Sequence, residues 1–482
     1  MLAVANALGR ILMAFSAAYL LPILAALLAR DGTAEPFIAA GLSTAALGAA
    51  LVRATARRAP ELKPRDSFLL VTLGWIVMSA VATIPLLTLL PGLSFTRAFF
   101  ETMSGLTTTG ATVLKGLDHL PPSINLWRAT LEWFGGLGII VLAIAVLPLT
   151  GVGGMQLYRG EAPGPIKDQR LTPRITGTVR SLSLAYLTLT LLGIGALRLF
   201  GMSWLDAVCH GFSAVGLGAF STHDASVRYF DSPAIELTLA ALMIIASLSF
   251  ARHFVALRRL TLEPYTRDPE AKAILAVLAA SVLGIAWLLT AHGIYPSFGA
   301  SLRHSLFNVV SIATTSGLAS DDYTRWPLLA PFWMLFLCST LCSTGSAGGG
   351  IKMFRTLLLT RQAGRELKLL VHPSAVAPIR IGGRLIPERV MHSVLAFIFL
   401  YFTTAVILVL ALLATGLDFD TSFGAVVALI NNTGPGLGHV GPFKTYHSLT
   451  PLQDWICTLT MLLGRVEIFS VLVLLTPAFW RK

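Results

Sequence analysis

Four short stretches set hydroxyl, amide and small side chains into an otherwise oily chain, and each ends on a glycine. They read LTTTG at 106–110, FSAVG at 212–216, ATTSG at 313–317 and INNTG at 430–434, so the glycines recur at intervals of 106, 101 and 117 residues. The chemistry this pattern supports is cation dehydration. An ion entering a narrow passage exchanges its water shell for oxygens held at set distances, and rings of backbone carbonyls supply them. Aiming successive carbonyls at one axis needs torsions that glycine adopts without steric penalty. On this reading Thr108, Thr109 and Gly110 form one wall, and Ala214, Val215 and Gly216 a second. Thr315, Ser316 and Gly317 form the third, and Asn432, Thr433 and Gly434 the fourth.

Short helices before these walls would turn their C-terminal dipole ends toward the ion. Asp118, Asp224, Asp231, Asp321 and Asp322 fall on the same side, either enriching cations at a mouth or solubilising a surface. His210 and His304 precede two of the walls and are expected as polar contacts behind them, because no acid–base partner repeats with them.

The elements that hold such walls must be membrane helices. Of 482 residues, 55% are hydrophobic and 12% charged, with a mean hydropathy of +0.74, far outside soluble averages. Cys209, Cys338, Cys342 and Cys457 sit in or beside apolar segments without metal or disulfide spacing. The net charge of +12 does not point to nucleic acid. Of 36 Lys and Arg residues, 26 lie at Arg10 or in 53–65, 159–180, 252–272, 352–389 and 481–482, on one side of an alternating chain. That positive-inside pattern places both termini in the cytoplasm. Residues 11–28 are expected as a retained helix, followed by a turn at Asp31-Gly32 and a return over 37–52.

The expected fold is therefore an all-α polytopic membrane protein. Four pseudo-symmetric helix–pore loop–helix repeats surround one central pore, preceded by two N-terminal transmembrane helices. The units are 1–60 (helix pair), 66–155, 178–262, 270–372 and 388–482, with ten crossings in all. Trp133 and Trp455 are expected at the outer ends of spans, as interfacial anchors.

The third repeat departs from its siblings. Gly345, Ser346, Ala347, Gly348, Gly349 and Gly350 fall where its outgoing helix should be near mid-membrane. Consecutive glycines unwind helices, and unwound backbone survives in a bilayer only inside protein or beside water. A close helix crossing is the structural alternative. Arg465 lies centrally in the last apolar span, expected either as a charge barrier below the walls or as a tie to Glu132 or Glu467. No metalloprotease, phosphate-loop or nucleophile–base pattern accompanies these features, so an enzyme is not expected. A secondary ion-coupled transporter working by alternating access is the rival reading.

Six stretches carry a resemblance: TTTGAT (107–112), QLYRGEAPGPIKDQRLTPRI (156–175), GAFSTHDAS (218–226), GSAGGGIK (345–352), LVHPSAV (370–376) and MLLGRVEIFSVLVLLTPAFW (461–480). Through them the chain resembles the membrane subunits of bacterial Trk-type potassium uptake systems, within the wider Trk/Ktr/HKT superfamily. The resemblance implies K+ as the transported ion, no organic cofactor in this chain, and a homodimer in the bacterial inner membrane. It also implies filter glycines at Gly110, Gly216, Gly317 and Gly434, a gate at 345–350 with Arg465 below the filter, and a cytosolic TrkA-like ring binding NAD/NADH or ATP/ADP. Ala347 stands where many relatives carry threonine.

Overall fold

The computed structural model describes residues 1–56, 63, 65–145 and 172–481. The stretch 156–171 of the second resemblance motif, and the basic residues at 57–62, 64, 146–171 and 482, lie outside the described residues.

A broken N-terminal helix, α1 (Leu2–Phe15) and α2 (Leu20–Ala29), folds back on α3 (Ala34–Thr55). The turn uses Arg30 and Gly32, both with positive φ. Gly9 and Gly48 let α1 and α3 touch: a Cβ at Gly9 would come within 2.7 Å of the Gly48 carbonyl.

Four units of one plan follow. The first is α4 (Asp66–Leu89), a short α5 (Phe95–Leu106) and α6 (Pro122–Ala145). The second is α7 (Thr172–Leu199), the short α8 (Trp204–Gly216), α9 (Pro233–Ser247) and α10 (Phe250–Arg259), with α11 (Glu263–Thr266) linking onward. The third is α12 (Pro269–Ala291), the short α13 (Phe298–Ala313), α14 (Leu329–Thr340) and α15 (Met353–Val371). The fourth is α16 (Glu388–Ala414), the short α17 (Phe419–Ile430), α18 (Pro451–Arg465), α19 (Ile468–Leu472) and α20 (Pro477–Trp480). Between α15 and α16 a two-residue hairpin, Arg380–Ile381 with Arg384–Leu385, is the one departure from all-helical structure among the described residues.

Among the described residues, six helices are long and apolar enough to cross a membrane, or eight if each bent pair is one span. The bends correct the sequence expectation. Breaking was expected in the third unit alone, yet α9 and α10 meet at 101° and α18 meets α19 at 111°. The chain leaves the helical path at Leu248-Ser249 and at Val466-Glu467, the latter with φ 54° at Glu467.

Each short helix packs on the two long helices of its own unit and on the outgoing helix of the unit before: α8 on α6, α13 on α9, α17 on α14. The first closes the circuit by packing on α18 of the fourth unit. Two apolar clusters fill this ring, one centred on units two and three, the other on units one and four.

Candidate functional site

The four short helices begin alike. Ser94, Ser203, Ser297 and Asp418 each accept a hydrogen bond from the backbone amide three residues on, and each is followed by Phe or Trp. These side chains satisfy an otherwise unpaired donor of the first turn. The helices also end alike. Thr108, Leu217, Thr315 and Asn432 take the left-handed conformation, with φ of 53°, 55°, 63° and 56°. The next amide then bonds back into the helix. Thr109 N reaches Ser104 O at 2.8 Å, Gly218 N reaches Ser213 O at 2.9 Å, Ser316 N reaches Ser311 O at 2.9 Å, and Thr433 N reaches Ala428 O at 2.8 Å.

These matched turns fix the register, and they move the second wall. Gly110, Gly317 and Gly434 follow the turns at φ +73°, +86° and +90°, while the residue in that place in the second unit is Ala219. A cavity of about 490 Å³ has Gly110, Ala219, Gly317 and Gly434 in its lining. Gly216 is not there. A Cβ on it would meet the Glu132 carbonyl at 3.0 Å, and one on Gly136 would meet the Gly216 Cα at 2.9 Å, so Gly216 serves the close crossing of α6 and α8. Ala214 and Val215 are buried in the apolar core behind the wall. The cap spacing carried the signal: Ser94 to Gly110, Ser203 to Ala219 and Asp418 to Gly434 are each 16 residues, and Ser297 to Gly317 is 20.

Ala219 lies among the three glycines. A Cβ added to Gly317 or Gly434 would come within 2.8 or 3.2 Å of the Ala219 methyl, and one on Gly110 would run into the Ala219 backbone. Ala219 itself is not among the positive-φ residues. The ring thus holds three left-handed glycines and one alanine in ordinary torsion.

Buried polar pairs brace the walls. Glu101 accepts from Arg128 Nε (2.8 Å), Thr112 Oγ1 (2.9 Å) and Val113 N (2.9 Å), holding the chain that leaves the first wall. Arg128 also donates to Ser221 O at 3.0 Å and stacks 4.1 Å from the Phe220 ring. Glu132 accepts from Ser213 Oγ at 2.5 Å and from Phe220 N at 3.0 Å, gripping the second wall at both ends. Between neighbouring walls Asn432 Nδ2 donates to Thr109 Oγ1 (3.0 Å) and Ser316 Oγ donates to Gly218 O (3.1 Å), and within the fourth unit Tyr446 OH donates to Gly434 O (2.8 Å). Trp133 is not an end anchor. It sits midway along α6, donates to Thr190 Oγ1 at 3.1 Å and stacks on Phe212. Trp455, at 42% exposure near the start of α18, keeps the expected place.

Most of the expected mouth acids have partners. Asp231 pairs with Arg303, Asp322 with Arg325, and Asp321 with Tyr295. His210 bonds Asp206 O and Ser221 Oγ, both at 2.9 Å, as a brace behind the second wall. His304 stacks on Tyr295, with ring centres 4.6 Å apart. Near the cavity His223 lies between Asp118 Oδ1 (2.5 Å) and Asp206 Oδ1 (3.3 Å), stacked on Tyr229 at 3.5 Å. Burial pushes the His223 imidazole down, but its bonds to Asp206 and Asp118 outweigh that and raise it above the ordinary histidine value. Asp118 is pushed up by burial, and held below its ordinary value overall by His223 and the Asp224 amide.

Below the walls lies the unwound stretch 341–352. Gly349 N donates to Thr315 Oγ1 at 3.1 Å, and Cβ atoms on Gly348 and Gly349 would strike Cys342 Sγ and Asn431 O. The stretch therefore presses directly on the third and fourth turns. Arg465 ends α18, 2% exposed, and donates to Ala347 O and Gly135 O, both at 2.8 Å. Neither expected carboxylate holds it: Glu467 pairs with Arg355 at 2.7 Å, and Glu132 serves the second wall. Lys352 Nζ bonds the Gly348 carbonyl. Gly345 keeps φ +85°, and Ser346 Oγ folds back on Ser343 O at 2.7 Å.

The TrkH family model, described as a cation transport protein, matches residues 34–482. The Trk system potassium uptake protein TrkH of Salmonella typhimurium is 45% identical over 483 residues, covering 100% of this chain and 99% of its own. The Trk system potassium uptake protein TrkG of Escherichia coli K12 is 36% identical over 475 residues, covering 98% of this chain and 97% of its own. The crystal structure of the potassium transporter TrkH from Vibrio parahaemolyticus superposes with a TM-score of 0.93 at 42% identity, covering 100% of this chain and 99% of that one. With a family model spanning nearly its whole length and relatives matched end to end, the chain belongs to the TrkH family of cation transport proteins.

Proposed function

We propose that this chain is the membrane subunit of a bacterial potassium uptake system, and that potassium moves through it passively along one gated pore. The observation that carries the reading is the meeting of four matched helix ends at one cavity, at Gly110, Ala219, Gly317 and Gly434. Four carbonyl-bearing turns at the negative ends of four helices favour a desolvating cation. Relatives 36–45% identical are potassium uptake proteins by name. The filter comprises Thr108–Gly110, Gly218-Ala219, Thr315–Gly317 and Asn432–Gly434. The mouth is the cavity side, and the basic connections with both termini face the cytoplasm.

Residues 345–350 form the gate, with Arg465 as its electrostatic reinforcement. Arg465 bonds the Ala347 carbonyl of the loop rather than a carboxylate, so its positive charge opposes a cation crossing a shut loop. The membrane potential supplies the drive, about 2.3 kcal/mol per charge per 100 mV. A homodimer, and a cytosolic TrkA-like ring binding NAD/NADH or ATP/ADP, complete the proposed system.

The test is rubidium flux and reversal potential in liposomes of purified protein, under imposed potassium and proton gradients. A reversal potential that tracks potassium alone supports the pore. One that shifts with the proton gradient replaces it with a coupled symporter. Shortening Gly348–Gly350 should leave the pathway leaky without any partner, and unaltered flux in that variant would remove the loop as the gate.

A further inference from the structure

The gate loop is held at its start by a residue from the incoming helix of its own unit. Glu270, in the first turn of α12, is 4% exposed, and its Oε2 accepts from Ser343 Oγ at 3.0 Å and from Thr344 N at 2.8 Å. The bend between α9 and α10 grips the same stretch, 343–345, through backbone. Ser343 N donates to Ser247 O at 2.9 Å, and Phe250 N donates to Gly345 O at 3.2 Å.

These holders form one packed piece. Asp268 caps α12 by accepting from Glu270 N at 3.1 Å, and it pairs with Arg252 of α10 at 2.6 Å. Arg252 also donates to Pro264 O at 3.2 Å, and His253 bonds Tyr265 OH at 2.6 Å and Ile245 O at 2.8 Å. The connection 260–268, which lies in one of the basic clusters, is thus tied by short polar contacts to α10, to Glu270 and so to the loop. Beyond Gly345 single bonds hold the chain, from Arg465 to Ala347 O, from Gly349 N to Thr315 Oγ1 and from Ile351 N to Ser339 O, and glycines at 348–350 let it re-aim once its start moves.

We propose that Glu270 is the positioning residue that holds the glycine loop shut, and that movement of the 260–268 connection reaches the gate through it. This rests on the loop being the gate. A carboxylate serving only the positive end of α12 would have no need of two donors from a segment 73 and 74 residues away.

Cys342 gives a readout besides flux. Its Sγ donates to Thr314 O at 3.3 Å and lies against Gly348, so a released loop uncovers it. The experiment uses full-length protein with Cys209, Cys338 and Cys457 replaced by alanine, a membrane-permeant maleimide, and rubidium flux in liposomes. In Glu270→Ala the labelling rate of Cys342 should rise roughly tenfold or more, the scale of one lost charge-assisted hydrogen bond, with a parallel rise in flux. Glu270→Gln keeps an acceptor oxygen for both donors and should return both readouts close to the parent. Ser343→Ala removes one bond, should give a smaller rise, and decides the matter if Glu270→Ala does not assemble. Labelling unchanged from the parent in these variants overturns the proposal. Faster labelling with unchanged flux supports the anchor, and overturns the loop as gate instead.

Discussion

The outer and inner halves of the ring obey different rules. At the level of the walls the four units are near copies: a capped short helix, a left-handed turn, an amide bonded back, a residue on the cavity. Below the walls nothing repeats. One unit supplies an unwound stretch and the glutamate that grips it, another a buried arginine. An ion on an axis presents the same charge in every direction, so coordinating it favours repetition. A barrier that opens and shuts needs one moving part and fixed neighbours, which favours difference. The division also separates tolerances: the walls should resist any added atom, and the lower half should respond to altered charge.

The sharpest way to break this contrast is Gly434→Ala. A Cβ there would press on the Thr109 carbonyl at φ +90°, and strain of about 1–3 kcal/mol on a wall should lower rubidium flux by roughly a hundredfold. Near-parent flux would show that the walls are not a close-fitting ring. Next is Arg465→Ala. At an effective dielectric of 20 a unit charge repels a cation by about 4 kcal/mol at about 4 Å and by about half that at twice the separation, so flux without any partner should rise roughly thirtyfold. If Arg465→Ala conducts no better than the parent, the lower half is not an electrostatic barrier.

Ala219→Gly should sharpen the comparison by making the ring fourfold. Removing the methyl that stands near Gly317 and Gly434 frees this one position, and should raise rubidium flux, and potassium preference over sodium, by roughly two- to fivefold. A drop in either would mean that the methyl supports the ring. The smallest effect concerns His223. Its raised value means its contribution to stability is complete below about pH 6.5 and is lost as pH rises through that raised value. Asp118 acts oppositely, its contribution present above about pH 3.9 and lost as pH falls through its lowered value. The thermal unfolding temperature should therefore fall by a few degrees between neutral and alkaline pH, and His223→Ala should flatten that slope. An equal slope in the variant would assign it to other groups.

Membrane class and the unwound stretch were legible because each rests on local composition: long apolar runs and three consecutive glycines. The second wall was misplaced because glycine served as the marker. That unit has Gly216 and Gly218 nearby and alanine at the cavity, whereas counting from Ser203 reaches Ala219. The bends at Leu248-Ser249 and Val466-Glu467 were hidden by continuing hydrophobicity, since what breaks them is contact with the loop and with Arg355 rather than a local helix breaker. Pairs such as Glu101 with Arg128, or Glu270 with Ser343, join residues 27 and 73 positions apart, and no pattern along the chain announces them.

The third short helix has 16 residues where its counterparts have 12 or 13. At about 1.5 Å per residue its capped end stands roughly 6 Å higher than theirs. The rim formed by the four capped helix starts therefore has a tall side, on the helix that carries His304, and three lower ones. A rigid, evenly four-armed blocker would rock on this rim instead of sealing it, while a lopsided one shaped to the step would seat in a single orientation.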